Sequence, residues 1–194
     1  MAANSIKGIK KTMVKKGIPD ELINQFDFSV KKETPEDVIM LINQMDKLLS
    51  EKQCLSIMEE QGCCTTGKPA KAHSDFGKKY AGKTIDERIK LFDELDTPHK
   101  PPCKLNDDGT LSVSWDFEQD GNHICVCGIV GFIKKLPEPV DIPKTFCGCC
   151  AGHSRKLLQR SLGVKLRLEK IVSSAASSKG KKHCEFLFNI DNKV

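Results

Sequence analysis

The chain has 194 residues, enough for one large or two small domains with an adequate hydrophobic core. Its 31 Lys and Arg against 26 Asp and Glu give a net charge of +5, and the lysines are spread along the chain without a basic stripe. Since only one Trp and one Tyr could stack on bases, no nucleic-acid partner is predicted. No apolar run reaches the roughly 20 residues that span a bilayer, so no membrane association is predicted.

The first hundred residues have the hydrophobic spacing of helices. Thr-Pro-Glu-Asp at 34–37 is a strong helix start, and apolar residues then recur at helical spacing through Met58. This pattern predicts one long helix that ends near Gly62. A capping box at 84–87 starts another helix. The Pro-rich residues 97–103 cannot form a helix or a central strand, so a boundary is predicted there.

Beyond this boundary the hydrophobic period changes to two, which indicates β-strands. Apolar and polar residues alternate over 110–118, and a largely apolar stretch at 123–133 follows a turn, so a hairpin is predicted. Leucines at helical spacing then predict a helix that ends at Gly163, and further strands are predicted at 163–172 and 183–190.

These elements predict an α+β fold, in which a helical N-terminal part packs on an antiparallel sheet and one helix crosses between strand pairs. The boundary divides the chain into a helical N-terminal region, 1–100, and a Cys-rich α+β domain, 101–194, which is predicted to bind a ligand or metal.

Ten cysteines are several-fold more than packing requires in a chain whose polar N-terminus predicts no secretory signal and a cytoplasmic location. Cysteines grouped at short spacing in such a chain indicate metal binding or thiol chemistry. Cys125 and Cys127, two apart on a predicted strand, would share one face. Cys147, Cys149 and Cys150 stand at a predicted helix start, where free N–H groups and the helix dipole favour thiolates.

If the two groups converge, up to five sulfurs meet, and four thiolates around Zn²⁺ form a closed site. Zinc is therefore the predicted cofactor, with an iron–sulfur cluster as the alternative. At most one of the adjacent Cys63 and Cys64 is a further candidate ligand, and His153 is a candidate acid/base group or outer partner of the site. The competing interpretation makes Cys125 and Cys127 small core residues of a buried strand.

The C-terminal part of the chain carries a family resemblance. Its Cys-Ala-Gly-His-Ser-Arg-Lys-Leu-Leu-Gln-Arg-Ser-Leu-Gly at 150–163, Leu-Arg-Leu-Glu-Lys-Ile at 166–171 and Ser-Ser-Lys-Gly-Lys-Lys-His-Cys-Glu-Phe at 177–186 resemble the end of the vinyl-4-reductase-like ligand-binding domains. They also resemble proteins named aminothiazoline-carboxylate hydrolase-like. The resemblance spans about 45 of the 194 residues. The cysteine groups resemble an uncharacterised Cys-rich bacterial branch of this superfamily.

The resemblance implies a structural zinc, because phenol-sensing regulators with this domain hold one with cysteines at the helix start and in the final strand and with a carboxylate. By position, the resemblance assigns these ligand roles to Cys150 and Cys184. A third family cysteine falls near Ala176, and the second strand carries no acidic residue. Two of the other cysteines would have to replace these missing ligands.

The leading functional prediction is a metal-binding, small-molecule-binding or sensor-like protein, with a small-molecule ligand and a homodimer as expected partners. One alternative is a cysteine- or zinc-dependent hydrolase of a small C–N substrate, and another is an iron–sulfur or thiol redox module. No catalytic residue is assigned, because the sequence contains no P-loop, nucleophile elbow or His-Glu-x-x-His motif.

Overall fold

The computed structural model describes residues 5–30, 33–63, 65–97, 100–133 and 140–193. The helices are α1 Ile6–Lys15, α2 Asp20–Ile23, α3 Pro35–Leu48, α4 Glu51–Met58, α5 Gly67–Lys79, α6 Ile85–Lys90, α7 Gly128–Ile133 and α8 Gly148–Leu162. Short 3-10 turns occupy Glu59–Gln61, Phe92–Glu94 and Lys144–Cys147. The strands are β1 Cys103–Leu105, β2 Leu111–Trp115, β3 Glu118–Gln119, β4 Asn122–His123, β5 Val164–Ser173 and β6 Cys184–Lys193.

The main sheet has four antiparallel strands in the order β1-β2-β6-β5. Along β5, buried Val164, Leu166 and Leu168 alternate with exposed residues, so one face of the strand lies on the core. α8 precedes β5 and connects the β1–β2 part of the sheet to the β5–β6 hairpin. The predicted α+β class is confirmed, whereas the division at residue 100 into two regions stays a prediction.

The predicted strand at 123–133 is wrong. Only Asn122–His123 is extended and paired, and its partner is Glu118–Gln119 in a separate two-stranded sheet. β6 occupies the place beside β2 that this strand was predicted to fill, with Leu111 opposite Phe188. Residues 128–133 form α7 instead. Hydrophobic period alone does not separate a short buried strand from a buried helical turn, so this apolar run was ambiguous.

The long helix predicted from residue 34 is two helices. Thr34 caps α3 as predicted, through a capping box with Asp37. The chain then turns at Leu49, whose backbone is extended (φ −114°, ψ 156°), and Ser50 caps α4 through a second capping box with Gln53. Both helices bury an apolar face in the same core, so the periodicity continues across the break and conceals it.

α8 is the central helix, and it packs against α5, β5 and the 3-10 turn at Glu59–Gln61. Its first turns carry glycine where they approach the backbone that follows α4. A Cβ atom on Gly148 would lie 2.7 Å from the Cβ of Met58, and one on Gly152 would collide with the main-chain carbonyl of Glu59. Only glycine permits this close approach.

An ion pair is buried beside the glycine contact. Arg155 Nη1 on α8 lies 3.1 Å from Glu59 Oε1, while Glu59 Oε2 accepts a hydrogen bond of 3.1 Å from the Leu168 N–H on β5. Glu59 is only 3% exposed, and its burial raises the pKa of its carboxyl although Arg155 acts in the opposite direction. Because one side chain contacts both α8 and β5, the pair fixes the position of the helix against the sheet.

Replacing Gly152 with Ala tests the close approach. The methyl group requires the backbone of α8 or of the 3-10 turn to move, so we expect the free energy of unfolding to fall by about 1–3 kcal/mol or more. Denaturant titration measures this change. Gly82→Ala is the control, because a Cβ there has no atom within 4 Å, and its effect should stay within about 0.5 kcal/mol. Equal effects of the two substitutions would contradict the packing described here.

Candidate functional site

Six cysteines from three segments meet near the point where β2 ends and β6 begins. We call them the thiol cluster: Cys125 and Cys127 in the loop before α7, Cys147, Cys149 and Cys150 at the start of α8, and Cys184 at the start of β6. Trp115, the last residue of β2, lies opposite Cys184 in the sheet register. The segments that carry the cysteine groups therefore lie near one another, on elements that differ partly from those predicted, but no three of these sulfurs form a group that could hold a metal ion.

Cys149 is coupled electrostatically to the rest of the thiol cluster. Its negative charge, if it ionises, raises the pKa of each of the five other thiols, Cys125, Cys127, Cys147, Cys150 and Cys184. Such an effect requires the sulfurs to be near one another across a poorly solvated region. Cys149 is itself 3% exposed, so this thiol is buried.

Two of the cluster sulfurs contact the segment that follows β5. Cys147 Sγ lies 2.9 Å from the Oγ of Ser174, and the Ala175 N–H donates a hydrogen bond of 3.4 Å to Cys184 Sγ. Both cysteines are buried, with 2% and 7% of their surface exposed. These sulfurs are therefore held by protein hydrogen bonds.

Cys125 and Cys127 lie in a loop and not on a strand, so the expectation that they share a strand face is wrong. The Ile124 N–H donates to the Phe117 carbonyl at 2.7 Å, and the Gly131 N–H donates to the Cys127 carbonyl at 2.9 Å as α7 begins. Both cysteines are half-buried, whereas Val126 between them is 65% exposed. The loop therefore turns Val126 toward solvent and its two cysteines toward the protein.

Burial raises the pKa of the Cys125 thiol to about 12 and also raises the pKa of Cys127, Cys147 and Cys184. The pKa of Cys150 is raised first by its hydrogen bond with Cys149 and then by burial. A helix dipole contributes at most about 2 kcal/mol, or roughly 1.5 pKa units. At the start of α8 the pKa values of Cys147 and Cys150 both lie well above the ordinary value of a thiol, so the thiolates expected there are not favoured at these two residues.

An aromatic pair borders the cluster. Trp115 and Phe117 are stacked, with ring centroids 5.8 Å apart and planes inclined by 14°. The indole N–H of Trp115 donates a hydrogen bond of 2.9 Å to Ser154 Oγ on α8, and Ser154 Oγ donates to the Cys150 carbonyl at 3.2 Å. The pair therefore lies against the helical turn that carries the central thiols, and Phe117 is 38% exposed.

His153 contacts the turn after the 3-10 helix. Its Nδ1 lies 2.6 Å from the main-chain carbonyl oxygen of Cys63, and since a carbonyl only accepts, Nδ1 carries the proton. The Cys63 side chain is exposed, and Cys64 lies outside the described residues. The acid/base role considered for His153 and the ligand role considered for Cys63 or Cys64 stay predictions.

Two features of the site were missed from the sequence. Ser174 lies between the predicted strands 163–172 and 183–190, and Trp115 and Phe117 lie in the predicted strand 110–118, but no role at the site was assigned to any of the three. The alternation of Trp115 and Phe117 did place both side chains on one face of the segment. The sequence did not show that this face lies near the cysteines, because that follows from the pairing of β6 with β2.

Comparison with known proteins assigns no family. No family model and no curated protein matches the chain. Two solved structures of an H-NOX protein from S. oneidensis cover nearly all of it. One, in the Fe(II)NO ligation state, has 10% identity and a TM-score of 0.35 over 99% of this chain and 100% of that one. The other, a mutant in the Fe(II) ligation state, has 11% identity and a TM-score of 0.37 over 100% and 98%. At this identity and TM-score the likeness does not establish a shared fold.

The predicted zinc cofactor, and the iron–sulfur alternative, are corrected. Within the described residues, no three His, Cys, Asp or Glu side chains form a group that could hold a metal ion. The physical reason lies in the thiol cluster, where Cys147 and Cys184 hydrogen bond to Ser174 and Ala175 and do not converge on one centre.

Among the helices that the structure describes, none has the length and apolar character needed to cross a bilayer.

The raised thiol pKa values predict slow alkylation of the folded protein. Iodoacetamide reacts with thiolate, so Cys125 should react at least about tenfold more slowly at about pH 8 in the folded than in the unfolded chain, whereas exposed Cys63 is the internal control. Mass spectrometry of the peptides measures both rates. Equal rates at Cys125 and Cys63 would contradict the burial of the cluster.

The same shift has a consequence for stability. The folded protein holds the thiol protons more tightly than the unfolded chain, so the stabilisation is complete below about pH 8.5 and is lost as the pH rises toward about 12. Thermal denaturation between about pH 7 and 10 should show a falling melting temperature above about pH 8.5.

Proposed function

We propose that this protein is a thiol-based redox sensor, in which Cys149 forms a reversible disulfide with Cys125 or Cys127. The supporting observation is that the buried Cys149 is coupled electrostatically to five other thiols that come from three segments. A closed metal site needs three or four converging ligands, whereas a disulfide needs only two sulfurs. Thiol–disulfide chemistry is therefore compatible with the arrangement of the cluster.

The partner of Cys149 comes from the loop and not from its neighbour in sequence. Cys149 and Cys150 are adjacent, so their Cα atoms are about 3.8 Å apart, less than the roughly 4.4–6.8 Å that disulfides favour. Closing this pair would distort the first turn of α8. Cys125 and Cys127 are half-buried and lie in a loop, so either can supply the second sulfur with less distortion of a regular element.

The oxidant in this proposal is a small disulfide of the oxidised glutathione class. A Cys149 thiolate attacks it and releases one small thiol, and the loop cysteine then attacks the mixed disulfide and releases the second. Two protein thiols thus lose two electrons and two protons to one small disulfide, which becomes two small thiols.

The proposed sensor responds slowly. Only thiolate attacks, and burial keeps the cluster thiols protonated, so the reaction follows the ambient thiol–disulfide ratio and not a brief pulse of peroxide. The covalent bond would tie the 124–127 loop to α8. This loop leads directly into α7, which packs on α3, so oxidation is coupled to the helical N-terminal part.

The sequence resemblance to vinyl-4-reductase-like ligand-binding domains supports a sensor more than an enzyme. A hydrolase that uses a cysteine nucleophile requires a thiolate near neutral pH, and the raised pKa values of Cys125, Cys127, Cys147, Cys150 and Cys184 disfavour this. The small-molecule partner, the homodimer and the cytoplasmic location stay predictions.

Redox titration tests the proposal. Protein purified without oxygen is equilibrated with glutathione buffers between about −320 and −150 mV, acid-quenched and mapped by mass spectrometry. We expect one intramolecular disulfide that joins Cys149 to Cys125 or Cys127. Cys149→Ser should abolish it, whereas Cys103→Ser should not, because Cys103 lies on β1 outside the cluster.

Two results would overturn the proposed function. One is that no disulfide involving Cys149 forms across this range of potentials. The other is that the anaerobic protein already carries a tightly bound metal ion whose removal exposes the cluster thiols to titration.

A further inference from the structure

We propose that Cys149 and Cys150 form a binding site for trivalent arsenicals, with the organic group of the arsenical against the Trp115–Phe117 pair. The inference rests on the proposed function only in that both use Cys149. It concerns a different pair of sulfurs and a reaction that transfers no electrons.

The two side chains are already neighbours. Cys149 and Cys150 are consecutive residues in the first turn of α8, so their Cα atoms are about 3.8 Å apart. A direct bond between adjacent cysteines strains the helix, but a bridging atom separates the two sulfurs and removes the need for a sulfur–sulfur bond. A centre that binds two sulfurs and spans between them therefore suits this pair better than a disulfide does.

The chemistry of arsenic(III) fits neutral thiols. An arylarsine oxide reacts with two thiols to give a cyclic dithioarsenite and one water: two arsenic–sulfur bonds form, the arsenic–oxygen double bond breaks, and the two S–H protons leave on the oxide oxygen. Arsenic stays trivalent throughout. The protons that burial retains on the cluster are consumed in forming water, whereas a divalent cation would have to displace them.

The surroundings offer a place for an organic arm. Trp115 is held against the same helical turn by its hydrogen bond to Ser154 Oγ, and the stacked Phe117 is 38% exposed. Cys150 is half-buried and Cys149 is 3% exposed. We infer that the reagent first contacts Cys150 from the side of the aromatic pair and that Cys149 then closes the ring.

Phenylarsine oxide is the probe. Added to the reduced protein, it should bind with one arsenic per chain, remove two titratable thiols and increase the intact mass by one phenylarsenic group. Excess 1,2-dithiol should reverse the adduct, and excess monothiol should not. Cys150→Ser should weaken binding by at least about 100-fold, because the second sulfur no longer acts intramolecularly. Cys103→Ser is the matched control and should bind as the parent protein does.

A second comparison tests the aromatic contact. Phe117→Ala should reduce the preference for phenylarsine oxide over methylarsine oxide while leaving two thiols consumed per arsenic. This readout depends on the ligand arm, so a general loss of stability would not reproduce it. An unchanged preference would overturn the placement of the organic group.

The two proposals fail separately. Parent-like binding by Cys150→Ser, or no one-to-one adduct with the parent chain, would overturn the arsenical site even where the glutathione titration yields the Cys149 disulfide. A one-to-one adduct that is lost in Cys150→Ser, together with no disulfide at any potential, would leave the arsenical site standing and overturn the redox proposal.

Discussion

The placement of the central cysteines depends on one constraint, the close approach of α8 to the backbone of residues 58–62. Gly148 and Gly152 allow this approach, and the buried pair of Arg155 with Glu59 fixes the helix against β5. Cys149 lies between the two glycines in sequence, so its position follows from the same contact. Because burying a charged pair stabilises little in net terms, its main contribution here is to select one position of the helix over others.

The protonation state of the site follows from that burial. Two effects compete at the start of α8: the helix N-terminus favours thiolates, and the loss of solvent favours thiols. The 3-10 turn Lys144–Cys147 runs directly into α8, so the N-terminus of the helix is not open to water, and desolvation prevails. A neutral cluster of this kind suits reactions that use two thiols together with their protons.

Local signals in the sequence predicted local structure well. The helix start at Thr34, the strand β5 and the end of α8 at Gly163 each depend on residues close in sequence, and all three were predicted. The strand at 123–133 failed because the choice between strand and helix there depends on β6, some 50 residues later. The grouping of the cysteines predicted that the segments carrying them lie near one another. Where each sulfur points depends on the conformation of the loops, which the hydrophobic period does not encode.

The two proposed reactions of Cys149 exclude each other, because both use the same sulfur. A sulfur bonded to Cys125 or Cys127 cannot also bind arsenic, and an arsenic bridge to Cys150 removes Cys149 from disulfide exchange. By linkage, oxidation of the cluster must weaken arsenical binding by the same factor by which the arsenical opposes oxidation. The loop at 124–127 is then bonded to α8 in one state and released in the other. A single buried sulfur, positioned by the glycine contact of its helix, would thus control whether that loop is attached to the sheet-packed core.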